Sequence, residues 1–138
     1  MEKVAGRLRH FFYGYLEQCF GLIGRILRMQ TLSLISGSLT ALYGILNTFA
    51  GISQLKAGMI QPWSAWCMMI SGLLLIASGV MLVFNLPLAI PLLVIGLIAI
   101  HLLTINNGLH MHGKIKPGHH LLRLAFSLIL FGLAYWSR

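Results

Sequence analysis

The amino-acid sequence predicts an all-α integral membrane bundle of four transmembrane helices, preceded by an N-terminal amphipathic interfacial helix. Three observations carry this. Of 138 residues, 58% are hydrophobic and only 9% are charged, against about 25% charged in a soluble domain. The stretch Ala57–Gly113 contains no Asp, Glu, Lys or Arg. As one straight helix it would reach roughly 85 Å, so it must fold back across an apolar slab of about 30 Å. Finally, no Asp or Glu follows Glu17.

The chain divides at about residue 30. Residues 1–30 read as a basic amphipathic helix. At 100° per residue, Lys3, Arg7, His10, Glu17, Gln18, Arg25 and Arg28 share one arc, and Phe11, Phe12, Leu16, Leu22, Ile23, Ile26 and Leu27 fill the other side. Arg9 is the misfit. Such a helix suits the membrane interface, with Arg7, Arg25 and Arg28 on lipid headgroups. The alternative is a helix packed on a partner subunit. A fifth span is disfavoured because Glu17 would sit near its centre, at about 3 kcal/mol.

Residues 31–138 form the four-span bundle, with spans at about 31–53, 63–84, 88–105 and 121–136. Asn85-Leu86-Pro87 supplies a tight turn, with Pro87 at the start of the third span, where a missing N–H costs little. Asn106 to His120 reads as a polar loop before the fourth span. Trp63, Trp66, Tyr135 and Trp136 mark headgroup levels. Arg123, just inside the fourth span, is expected to snorkel back to the headgroups.

With four spans the termini share a side. That side carries Lys3, Arg7, Arg9, Arg25, Arg28 and Arg138; the other carries Lys56, Lys114, Lys116 and Arg123. The excess predicts cytoplasmic termini, and the expected location is a bacterial inner membrane. No signal peptide is evident, because Glu17 and Gln18 interrupt the apolar region. The net charge of +8 comes from missing acids rather than dense bases. It indicates anionic lipid as the partner, not nucleic acid. Cys19 and Cys67 fall near opposite faces and are not expected to pair.

Small residues give the clearest pattern. Gly37, Ala41, Gly44, Thr48 and Gly51 form one stripe in the first span; Ala65, Gly72 and Gly79 recur at seven-residue steps in the second. Small residues let helices approach closely in lipid. The two stripes are packing seams, against each other or against a separate subunit. The first two spans also align at an offset of thirty-five residues, Ile35-Ser36-Gly37 with Ile70-Ser71-Gly72, a weak inverted repeat of the kind transporters carry.

Histidine is the second pattern. His110-x-His112, in extended backbone, would point both rings to one side, and His119-His120 follow after Pro117-Gly118. With no carboxylate at hand, a site of His110, His112, His119 and His120 would suit a transition metal such as zinc, copper or nickel. Set against this is a solvated basic loop that gains charge at low pH. Haem is weaker still, since His101 is the one histidine clearly within a span. Asn47 lies deep in the first span and is expected to hydrogen-bond a neighbouring helix.

Carboxylate acid–base chemistry is excluded from the main body, and no phosphate loop, dinucleotide fingerprint or nucleophile arrangement stands out. The sequence therefore points to a non-enzymatic accessory or assembly subunit without a required cofactor, packed against other membrane subunits or a second copy of itself. The alternatives are a membrane protein binding a transition metal through a histidine-rich loop, and a small oligomeric transporter or channel. The last would need a polar path past Thr40, Asn47, Thr48 or His101.

Overall fold

The computed structural model describes the backbone of residues 2–112 and 117–138, and the side chains of residues 17–111 and 118–138. It is all-helical: α1 (Glu2–Ala57), α2 (Pro62–Val83), α3 (Ala89–His112) and α4 (Pro117–Trp136). Each is long and apolar enough to cross a membrane. Consecutive helices run antiparallel, and α4 closes the ring by packing on α1 as well as α3. The bundle thus has a loop end, where α1 and α3 finish and α2 and α4 begin, and a turn end, where α2 meets α3 and α4 terminates.

Local chemistry fixes the corners. Gly58 takes φ +63°, and its N–H donates to Leu55 O at 3.3 Å, closing α1. Gln61 is extended, and Pro62 then opens α2, where its missing N–H costs nothing. At the turn end Asn85 has φ 53°, a left-handed conformation that asparagine tolerates better than most residues. The expected turn at Asn85-Leu86-Pro87 is where the chain reverses. Ser33 Oγ donates to Asn85 Oδ1 at 3.0 Å and lies 3.3 Å from Ser137 O, joining α1, the turn and α4.

Two expected boundaries move. The helix does not break at residue 30; α1 is continuous through 56 residues, about 84 Å. In addition, α3 runs on to His112 and α4 starts at Pro117. Asn106 and Asn107 are polar but remain helical because Asn107 finds partners inside the bundle. Its Oδ1 accepts from Ser64 Oγ at 2.5 Å, and its amide N–H faces Met68 Sδ at 3.2 Å.

The interior mixes small polar side chains with an apolar core, and the exterior is large and apolar. Ser33, Ser36, Thr40, Asn47, Ser64, Ser71, Ser78, Asn107 and Ser127 are buried. Long Leu, Ile and Phe side chains point outward along all four helices, as the surface of a lipid-embedded bundle requires. The apolar core gathers Leu75, Leu82, Ala89, Leu93, Leu97, Ile100, Leu130 and Ala134 from α2, α3 and α4.

The glycine stripes of α1 and α2 face each other. A Cβ at Gly37 would lie 2.6 Å from Gly79 O; one at Gly44, 2.6 Å from Gly72 O; one at Gly51, 2.8 Å from Met69 Cγ. Thr48 packs on Gly72, and Ala41 on Gly79. Backbone thus meets backbone over four turns, and this seam lies within one chain.

Candidate functional site: a cationic niche between α1, α3 and α4

The polar centre forms around Arg123. It lies six residues into α4, about 9 Å below the loop end. Contrary to the snorkelling expected from sequence, its guanidinium turns into the bundle. One arm donates to Asn47 Oδ1 on α1 at 3.0 Å, and the other to Thr104 Oγ1 on α3 at 2.5 Å. The physical reason is local: inward, two oxygens are presented at matching depth, and the ring of Tyr43 lies beneath, its centroid 6.0 Å from Arg123 Cζ.

Each acceptor is itself held. Asn47 Nδ2 donates back to Tyr43 O at 2.7 Å, which aims Oδ1 across the interface. Thr104 Oγ1 donates to Ile100 O at 2.5 Å, leaving its lone pairs for Arg123. Phe126 meets Tyr43 edge-on at 5.2 Å between centroids. Deeper, His101 Nε2 lies 3.0 Å from Ser127 Oγ, a second link between α3 and α4.

Both acceptors of Arg123 are neutral, and the sequence has no Asp or Glu after Glu17. Glu17 lies on α1 beyond the opposite end, 30 residues from Asn47, roughly 45 Å along the helix. Hydrogen bonding is therefore supplied within the chain, but counter-charge is not. The hydroxyl of Tyr43 is buried without a hydrogen-bond partner among the described residues.

Beside Arg123, α1 and α4 part to leave a cleft of about 380 Å³, lined by Leu39, Leu42, Tyr43, Leu46, His119, Leu122, Arg123 and Phe126.

The histidines are not on a loop. His110 and His112 end α3, while His119 and His120 are in the first turn of α4. In a helix, residues two apart point about 200° from each other rather than to one side. His110 and His119 are exposed and His120 is half-buried; the rings of His119 and His120 are 6.2 Å apart at their centroids. The side chain of His112 lies outside the described residues. Among the described residues, no three His, Cys, Asp or Glu side chains converge as a metal site would need.

Of the suggested polar path, Asn47 and His101 reach the niche. Thr40 is buried but returns its hydroxyl to Ser36 O at 2.7 Å, and Thr48 is used in the glycine seam, donating to Gly44 O at 2.9 Å. Arg25 and Arg28 are exposed on α1 just outside the turn end; the side chain of Arg7 lies outside the described residues. Cys19 is exposed, Cys67 half-buried, and both are free. Sequence reasoning noticed Asn47 and Arg123 separately and missed Tyr43 and Thr104. The available signal was depth, since Asn47, Thr104 and Arg123 meet once the helices are folded antiparallel, with Tyr43 one turn deeper on α1.

Compared with known proteins, the chain matches no family model, no curated protein and no solved structure.

Proposed function

We propose that this protein is a non-enzymatic accessory or assembly subunit of a larger membrane complex, docking through the part of α1 that leaves the bundle. One observation carries the reading. Residues 17–30 are exposed throughout, including Phe20, Leu22, Ile23, Ile26 and Leu27, and they lie past the turn end marked by Ser33. The helix from residue 2 to residue 30 reaches roughly 44 Å. An isolated amphipathic helix is only marginally stable in water without a surface to cover its apolar face.

Two surfaces could cover it: lipid headgroups or a partner helix. Lying on the bilayer requires a sharp bend near residue 30. Sharp bends arise at Pro, at Gly/Ser pairs or at helix bulges; no Pro lies in α1, and its nearest glycines, Gly24 and Gly37, both sit within one continuous helix. The unbroken helix therefore supports an upright arm. Arg25 and Arg28 at its base fall at headgroup level, and the apolar stripe above them meets another subunit. The glycine seam does not contribute to docking, because α1 and α2 use it between themselves.

The test is photocrosslinking in the native membrane, with a photoreactive residue in place of Phe20, Ile23 or Leu27. Ile23 and Leu27, one turn apart on one face, should crosslink to the same membrane protein. Lipid adducts alone would overturn the reading, and a product between two copies of this chain would replace it with self-association.

A further inference from the structure

The cleft between α1 and α4 combines an uncompensated cation with an apolar channel, and the order of its lining residues along the bundle axis carries information. His119 lies nearest the loop end. Arg123 follows four residues later on the same face of α4, about 6 Å deeper. Leu122 lies between them, and beyond come Phe126 of α4 and, on antiparallel α1, Leu46, Leu42 and Leu39. The cleft is thus cationic toward the membrane surface and apolar toward the midplane. Its lips face outward: Leu42 is 53% exposed, Leu46 59% and Leu122 72%, so in a bilayer the cleft opens sideways onto acyl chains.

We propose that this cleft is a binding site for one anionic phospholipid of the leaflet at the loop end. Its phosphate is held by Arg123, with His119 at the rim, and one acyl chain lies along Leu46, Leu42, Leu39 and Phe126. The polarity of the cleft matches that of a lipid in this leaflet, head outward and tail inward. Arg123 needs a counter-charge that no residue after Glu17 supplies. Among the described residues, only two of the five guanidinium N–H groups find acceptors, both neutral oxygens. A phosphodiester offers charge and geometry together. Tyr43 lines the same cleft beneath the guanidinium, its ring centroid 6.0 Å from Arg123 Cζ.

A carboxylate on a partner's transmembrane helix would also supply negative charge. The cleft favours lipid, because it opens between exposed leucines and its polarity runs head outward and tail inward; a carboxylate partner is an outcome of the test.

The test is native mass spectrometry of the full chain in mild detergent, titrated separately with phosphatidylglycerol, phosphatidylcholine and oleate. One phosphatidylglycerol should bind about tenfold more tightly than phosphatidylcholine, because both carry the phosphodiester but the choline cation neutralises the headgroup and leaves Arg123 without net counter-charge. Arg123→Gln should abolish that preference and Arg123→Lys should keep part of it. Leu42→Trp, which narrows the apolar part of the cleft, should weaken binding of both phospholipids. Arg25→Gln should change nothing. Equal affinity for the two phospholipids, a preference surviving Arg123→Gln, selective binding of oleate alone, or an Arg123-dependent protein subunit in place of lipid would each overturn the proposal.

Discussion

Arg123 is the residue whose placement has the largest consequences. A cation within the hydrocarbon region costs about 3 kcal/mol on insertion scales, and the chain offsets this with two shaped acceptors and an aromatic face. Removing an acceptor should then be felt. We expect Asn47→Leu to destabilise the bundle by about 1–2 kcal/mol, since it leaves Arg123 short of one partner and strips a contact between α1 and α4. Reversible denaturation in mixed micelles measures this. If the loss runs through Arg123, the double variant Asn47→Leu/Arg123→Leu should cost less than the sum of the two single changes. Additive losses would show that the two side chains act independently. This pairing was not legible in the sequence. Asn47 and Arg123 each stood out as polar residues within a span, but 76 residues separate them, and only the closing of α4 onto α1 brings them to one depth.

The elements themselves were largely legible, because each rests on a local or periodic signal. The glycine steps of α1 and α2 announce a close seam, and the turn at Asn85 is fixed by its own chemistry. What the sequence obscured were helix ends and the continuity of α1. Asn106, Asn107, His110 and His112 look like a loop by polarity, but α3 keeps them helical because Ser64 and Met68 receive Asn107 across the interface. Hydropathy changes at residue 30 where the backbone does not. The seam gives a paired test. Gly44→Leu places side-chain atoms where a Cβ alone is already 2.6 Å from the Gly72 carbonyl, so it should separate α1 from α2 and cost about 3 kcal/mol or more. Gly24→Ala has nothing within 4 Å of the new Cβ and should stabilise α1 by about 0.5–1 kcal/mol. Chemical denaturation of both variants in the same micelle reads the contrast. A mild effect at Gly44 would mean the seam is not tight.

On the scale of the whole molecule, the four antiparallel helices put the base of the α1 arm and residue 138 at the turn end, and Lys56 and the start of α4 at the loop end. The excess of Lys and Arg at the turn end leads us to expect that side in the cytoplasm. In intact cells, a membrane-impermeant maleimide should label Lys56→Cys in a chain lacking Cys19 and Cys67. It should reach Cys19, in a Cys67→Ser background, only after lysis; the reverse pattern would invert the orientation. The arm and the lipid cleft then lie on opposite sides of the membrane, and neither uses the glycine seam, so each can be disabled without the other. Docking can therefore be tested with the bundle and its cleft intact. Native mass spectrometry of the chain gently extracted from its own membrane is the direct measurement. We expect a stoichiometric complex with a second membrane protein that Ile23→Glu/Leu27→Glu dissociates while the helical content of the bundle is unchanged. A wild-type chain that emerges only as a monomer carrying lipid would contradict the accessory role.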